Sequence, residues 1–445
     1  MFHLKLKEIF NDSISKVCSN INEFVYHPGN DYSRVRKLSS DQVISYLISQ
    51  GASSTKCEWL DFFQLSPEIP TVSALNQRRS QLKPDAFEAV FHEFTTSALE
   101  LEMEKHDSPY QYIAADGSTI SFSSLPRFAS DEYYISEGHS ASGFYSMHIN
   151  AFYDLNRHIY TNALIQPAHQ KDEFSAFCEL VDSHRSISDT NTVFIGDRGY
   201  CSYNNMAHVI EKGQYFLFRT KDINSKGLIG NFDFPDTAEF DITVNVTLTR
   251  SHRKSIKIQD GSYRRYVDQA ASFDYIKYGS DDTYYLAFRI VRFAISENTY
   301  ECIVTNLPKD SFSSEKLKDI YNSRWGIESS FRKLKYTIGL SFYHSYKPDF
   351  IRKEIWAKLI SYNATELLVN NVVISQGERR YNYAVNFSMA AHICRIYLRL
   401  FTEIDSIDVM ALLKKELIPV RPDRQFPRLK TAHFRKPKYL IYRAA

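Results

Sequence analysis

The chain has 445 residues, with 54 lysines and arginines against 52 aspartates and glutamates and a formal net charge of +2. It is long enough for two or three domains, and too evenly charged for composition alone to establish a nucleic-acid partner. Cys18, Cys57, Cys178, Cys201, Cys302 and Cys394 are scattered, with no C-x-x-C pair and no histidine at zinc spacing, which supports neither a disulfide framework nor a zinc site; the chain shows no signal peptide and no apolar run of membrane-spanning length, so a cytoplasmic protein with no membrane partner is expected.

Residues 1–107 read as a helical region, with segments 41–50 and 84–104 the clearest. Between them, 71–83 is rich in Arg, Gln and Ser and carries Arg78, Arg79 and Lys83 with no acid. That chemistry suits base edges and phosphates, and an ordinary surface helix would look the same.

In 108–221 the period changes. The run 112–119 is a short apolar strand that delivers Asp116 at its end, followed by turn and hydroxyl residues. Two strand-like runs, 146–153 and 158–166, flank the hairpin signal Asp154-Leu155-Asn156-Arg157, and 171–185 reads as a helix with Phe174, Phe177, Leu180 and Val181 on one side. A second apolar strand, 192–197, delivers Asp197, ahead of a helix at 204–212 and a strand at 214–219. Strand, strand, strand, helix, strand, helix, strand is the order of a ribonuclease-H-like α/β core with a mixed sheet.

Residues 222–308 form a β-rich insertion, with strands expected at 241–249, 255–259, 284–291 and 301–307. In 309–400 the core resumes with a helix on which Tyr321, Arg324, Glu328 and Lys335 lie at offsets of +3, +7 and +14, within an arc of about 60°. Ile320, Ile327, Phe331, Leu334 and Ile338 fill the adjacent arc. A turn at 344–351 leads into a long helix, 352–370, where Ile355, Leu359, Tyr362 and Leu367 face one way and Trp356 reads as core. Residues 401–445 are expected to hold a helix and a basic tail, with Arg421, Arg424, Arg428, Lys430, Arg435, Lys436, Lys438 and Arg443 against Asp423 alone. Such a tail either contacts phosphates or is merely solvated.

The spacing Y-x2-R-x3-E-x6-K from Tyr321 to Lys335, with the two upstream aspartates, resembles the cut-and-paste DDE transposases of the insertion-sequence-four type over about residues 40–400. The resemblance implies that Asp116, Asp197 and Glu328 are catalytic and ligate two Mg²⁺ ions, with Mn²⁺ able to substitute. Hard oxygen donors suit those ions, and two-metal chemistry would activate first a water and then a 3′-hydroxyl. It further implies that Tyr321, Arg324 and Lys335 grip phosphates; Arg219 and Lys221 are lesser candidates for end contacts, and Arg198 and Arg332 stand near enough to the motifs to be worth testing, with solvent-facing roles favoured. The N-terminal region would bind terminal inverted repeats, and the insertion would help hold the transposon end and its hairpin. The implied partner is double-stranded DNA, both element ends and target, bound by a homodimer; the implied location is the bacterial cytoplasm, on the nucleoid when DNA is held.

One departure from the family concerns a tryptophan that stacks on a flipped base. Trp59, Trp325 and Trp356 all lie outside the insertion, so Tyr263, Tyr266, Tyr275 or Tyr278 would have to supply that face. Two other functions fit the same residues: a nuclease of this fold that cuts without joining, and a DNA-binding protein that keeps the fold without the chemistry.

Overall fold

The structure, a computed structural model, describes residues 2–102, 108–136, 143–187, 190–223, 225, 227–375, 381–399 and 408–420. The basic tail expected from Arg421 onward lies outside the described residues.

Leu6, Phe10, Ile14 and Val17 recur every three or four residues along α1 (Phe2–Ser19) and are all buried. They form one stripe, which packs on α5 (Asp85–Glu102), where Phe87, Val90, Phe91, Phe94 and Ala98 answer at the same spacing. Between them, α2 (Ser40–Ser49) opens with a capping box in which Ser39 and Gln42 satisfy each other's backbone donors. The side chains of Ser54 and Thr71 cap α3 (Thr55–Phe62) and α4 (Val72–Gln81).

The polar stretch at 71–83 is therefore mostly α4, but its cations are committed within the protein. Arg79 is 2% exposed and donates to Glu354 at 2.7 Å. The Arg78 guanidinium lies 3.5 Å above the Tyr32 ring, and Lys83 donates to the Glu23 carbonyl at 3.3 Å. The uncharged residues Ser73, Asn76, Gln77 and Ser80 hold the exposed face.

The central sheet begins with β1 (Tyr110–Phe122), β2 (Tyr134–Ile135), β3 (Phe144–Asp154) and β4 (Ile159–Pro167), all adjoining pairs antiparallel. After α6 (Glu173–Ser183), β5 (Asn191–Gly196) lies parallel to β1; after α7 (Tyr203–Glu211), β6 (Tyr215–Thr220) lies parallel to β5. The order β4-β3-β1-β5-β6, antiparallel then parallel, is that of a ribonuclease-H-like core.

The insertion does not stand apart from this sheet. It supplies β7 (Phe240–Thr249), β8 (Tyr263–Tyr266), β9 (Thr283–Ser296) and β10 (Thr299–Thr305), and β10 pairs with β6 so that the sheet runs on through β10-β9-β7-β8. No strand forms at the expected 255–259. The edge of β7 that such a strand would need is taken by β8, and Arg250 ties the following loop by donating to the carbonyls of Asp268, Ala271, Phe273 and Ile276.

The chain then returns to the core as α8 (Ser314–Ser323), α9 (Trp325–Arg332), a π-helical turn at Lys333–Thr337 and α10 (Pro348–Asn370). The last described elements are β11 (Tyr383–Val385), α11 (Phe387–Tyr397), α12 (Val409–Lys415) and β12 (Leu417–Pro419). Helix α10 is about 34 Å long and buried along nearly its whole length against α2, α5, α11 and β4. Its polar residues are paired: Lys353 with Asp349 at 2.6 Å, Glu366 with Lys333 at 2.6 Å, Asn363 with the Tyr160 backbone, and Lys358 with the Gln50 carbonyl. No helix among the described residues is long and apolar enough to cross a membrane.

Candidate active site

Asp116 lies inside β1, which runs on to Phe122 rather than ending at the acid as expected, and Asp197 directly follows β5. The parallel register of β1 and β5 pairs Ala114 with Ile195; continued by two residues, it sets Asp197 opposite Asp116, on strands roughly 4.8 Å apart. Asp116 accepts the Gly117 N–H at 2.9 Å, and Asp197 caps a short 3-10 turn by accepting the Gly199 N–H at 2.8 Å. Gly117 is required by crowding, because a Cβ there would stand 2.4 Å from the His148 Nε2.

Glu328 comes from α9, which packs on β1 through buried Ile327 and Phe331. Burial pushes the Asp116 carboxyl up to about 6; Asp197 and Glu328 push the same way, while the Gly117 N–H and the Arg324 guanidinium oppose. The three carboxylates thus feel one another's charge.

The helix that carries Tyr321 to Lys335 is not one straight rod. The Ser323 hydroxyl bonds back to the Ile320 carbonyl at 2.6 Å, and the Arg324 N–H reaches Tyr321, three residues back rather than four. Gly326 lets the bent helix approach the β3–β4 hairpin, with Leu155 3.0 Å from where a Cβ would be. The polar stripe expected at the surface is consequently split. Tyr321 is 3% and Arg324 5% exposed, while Lys335 sits in the π-helical turn.

Arg324 donates from Nη2 to Glu328 at 3.0 Å, and its guanidinium lies 5.1 Å from the exposed Trp325 ring. Its Nε is buried without a hydrogen-bond partner, while the neighbouring buried Tyr321 hydroxyl interacts with the guanidinium. Lys335 donates to the Thr119 carbonyl at 3.0 Å; burial lowers its ammonium pKa while Asp116 supports the charge. Arg219 forms an ion pair with Glu301 and lies near Tyr321, one step removed from the acids. Lys221 is exposed on the loop after β6, beside Gly227.

Among the insertion tyrosines, Tyr263 hydrogen-bonds to Asp233, and Tyr275 packs against His208, Phe273 and Tyr284. Tyr266 and Tyr278 keep exposed faces, the first stacked on His252 with centroids 3.8 Å apart and the second under the Arg250 guanidinium. Sequence reasoning set Trp325 aside for lying outside the insertion and did not single out Tyr200, a buried ring close to Asp116 and Asp197. Their signal was adjacency: each stands within three residues of an acid already named.

Three carboxylates are suitable donors for hard divalent ions, and their mutual repulsion is the kind a cation relieves. In this arrangement, however, no three His, Cys, Asp or Glu side chains among the described residues converge to ligand distance. Glu328 is engaged by Arg324 instead.

A family model described as "Transposase DDE domain" matches residues 107–364. The transposase InsG of insertion sequence element IS4 from Escherichia coli K12 is 26% identical over 130 residues, covering 26% of this chain and 28% of the relative. The putative transposase InsL of IS186A from the same strain is 34% identical over 59 residues, covering 13% and 16%. The matched stretches thus span less than a third of these relatives. A piggyBac transposase synaptic complex with hairpin DNA aligns with a TM-score of 0.45 and 9% identity, covering 96% of this chain and 87% of that one.

Proposed function

The chain belongs to the transposase DDE domain family, and from that premise we propose that it is a DNA transposase that binds the terminal inverted repeats of its element, cleaves at the ends and joins the resulting 3′-hydroxyls to target DNA. The observation that carries the reading is the β1–β5 register, which sets Asp116 within β1 beside Asp197 just after β5, with Glu328 near enough to raise the Asp116 carboxyl.

Asp116, Asp197 and Glu328 would hold the divalent ions, Mg²⁺ or Mn²⁺. When bound, two such ions supply activation of the attacking oxygen and stabilisation of the leaving one. Lys335, anchored beside Asp116 by the Thr119 carbonyl, is placed to neutralise a phosphate next to the reacting one. Arg324 and Tyr321, which interact with each other, would add donors to a phosphate, and Arg219 lies near Tyr321. Lys221 and the exposed rings of Tyr266 and Tyr278 offer contacts farther along a bound duplex.

In domain terms, the helical 1–107 would bind the DNA end through the exposed polar face of α4, with 108–221 and 309–400 forming the catalytic core, 222–308 its insertion and 401–445 a C-terminal basic segment. The DNA-bound form would be a homodimer with one active core per end.

A supercoiled plasmid carrying the gene with its native flanks tests this. With Mg²⁺ the wild-type chain should release the element with free 3′-hydroxyl ends and join them to a second plasmid. Release without joining would instead indicate a nuclease, and binding without cutting a DNA-binding protein.

A further inference from the structure

Glu328 has two claimants. Its Oε1 accepts from Arg324 Nη2 at 3.0 Å, and Arg324 is 5% exposed. On a solvated helix an i,i+4 pair of this kind contributes little. A guanidinium this deeply buried is different, because it depends on its one carboxylate for compensation, and that carboxylate belongs to the acid set. A cation cannot take the same oxygen without being set against the guanidinium at contact distance.

The surroundings are built for a change of partner. Arg324 Nε is a buried donor with no hydrogen-bond partner, and beside it the Tyr321 hydroxyl interacts with the same guanidinium. A phosphate oxygen would satisfy that Nε, since a guanidinium presents its donors as a planar fork that matches phosphate as well as carboxylate. Arg324 also stands where α8 meets α9, at the tightened turn, four residues before Glu328.

We propose that Arg324 is a positioning residue that holds Glu328 out of the divalent site in the DNA-free protein, and releases it when a DNA backbone phosphate takes the carboxylate's place on the guanidinium. Divalent cation and DNA then bind cooperatively, and the free protein carries an incomplete site. This rests on the reading of Asp116, Asp197 and Glu328 as the cation ligands.

The test uses the full chain and Mn²⁺ as the probe, its binding followed by electron paramagnetic resonance with and without a 30-base-pair duplex, after subtraction of Mn²⁺ held by the duplex alone. In the wild type the duplex should tighten Mn²⁺ binding by a factor within the roughly 5–150-fold range usual for coupled sites, and Mn²⁺ should tighten duplex binding equally. Arg324→Gln should bind Mn²⁺ about tenfold more tightly than wild type without DNA, and gain little from the duplex. Arg324→Met, an apolar chain of similar length, is run beside it in case the amide disturbs folding, with near-ultraviolet circular dichroism reporting the folded state.

If the folded variants bind Mn²⁺ no better than wild type without DNA, Arg324 is a structural ion pair only. Absence of coupling in the wild type overturns the proposal even if neither variant folds. Glu328→Gln separates this from failure of the underlying reading. If it keeps wild-type Mn²⁺ affinity in the presence of DNA, Glu328 is no ligand and both ideas fall; if it loses Mn²⁺ while Arg324→Gln changes nothing, only the exchange of partners fails.

Discussion

Arg79 of α4 donates to Glu354 of α10 at 2.7 Å, with the two side chains 3% and 1% exposed. The helical region and the core are thereby joined by an ion pair in the interior, so the surface that would hold a DNA end is rigidly connected to the helix behind the acids.

Arg79→Ala should therefore lower stability by about 3–5 kcal/mol, because it takes the main counter-charge from buried Glu354 and leaves only His344 bonded to it. Burial pushes the Glu354 carboxyl up, but Arg79 and His344 outweigh it and hold it below the usual carboxylate range. A depressed acid stabilises the fold above its unfolded pKa and loses that contribution as pH falls through the folded value. The variant should thus differ most from wild type near pH 7 and converge with it in strong acid. Melting curves from pH 2 to 7 check this, and a constant difference across that range would contradict it.

Asp116 has the opposite sign. With its carboxyl raised to about 6, the folded state holds the proton more tightly than the unfolded one; stability is full below about pH 4 and falls as pH rises to 6. Asp116→Asn should be about 1–3 kcal/mol more stable than wild type at pH 7.5 without divalent ions, equal to it at pH 4, and inactive in cleavage. Chemical denaturation at the two pH values measures the difference. A variant less stable than wild type at pH 7.5, or one that still cuts, would remove Asp116 from this role.

His208 lies between Asp182, 2.9 Å from Nδ1, and Asp274, 2.9 Å from Nε2, and so clips the insertion to α6 and α7. Cys178, then Asp182 and Asp274, push the imidazole up to about 10 against the effect of burial. A raised base contributes its stability in full below the unfolded value of about 6.5 and loses it as pH climbs through the folded value. Both carboxylates are more than half exposed, so the contribution is about 1 kcal/mol. His208→Gln should melt lower than wild type at pH 6 and alike at pH 10.5; an offset that persists at pH 10.5 would assign the loss to packing instead.

Lys335 and Arg324 should separate in binding experiments. Lys335 makes one backbone contact and is half-buried, so Lys335→Ala should leave melting within about 1 kcal/mol and lower the salt slope of duplex binding by roughly 0.9, the effect of one phosphate contact. Arg324→Ala should depress melting as well, because the guanidinium is interior. Titration of a labelled duplex at four salt concentrations checks the slope, and an unchanged value for Lys335→Ala would place that ammonium away from DNA.

What could be read without coordinates was local. Apolar runs that lead to Asp116 and Asp197 signal strands whatever surrounds them, although β1 runs on past Asp116 to Phe122, and the element order from 112 to 219 suffices for the core topology. Burial of Tyr321 and Arg324 was hidden because helical geometry alone assumes a straight rod, whereas Ser323 and Gly326 bend this one against the hairpin. Arg79 looked like a surface cation since its partner lies 275 residues away, and the union of β6 with β10 has no local pattern to announce it. The missing strand at 255–259 alternates correctly, but the β7 edge is taken by β8.

Placing the whole insertion between the second and third acids also sets an order of events during synthesis. Asp116 and Asp197 leave the ribosome well before Glu328, and at about 5–20 residues per second the interval from first acid to third is roughly 10–40 s. Strand β6 meanwhile waits with an open edge for β10, and α10 follows later still. A nascent or prematurely terminated chain therefore has the strands of the site without its third carboxylate, and on the proposed function it is born unable to cut the gene that is being read.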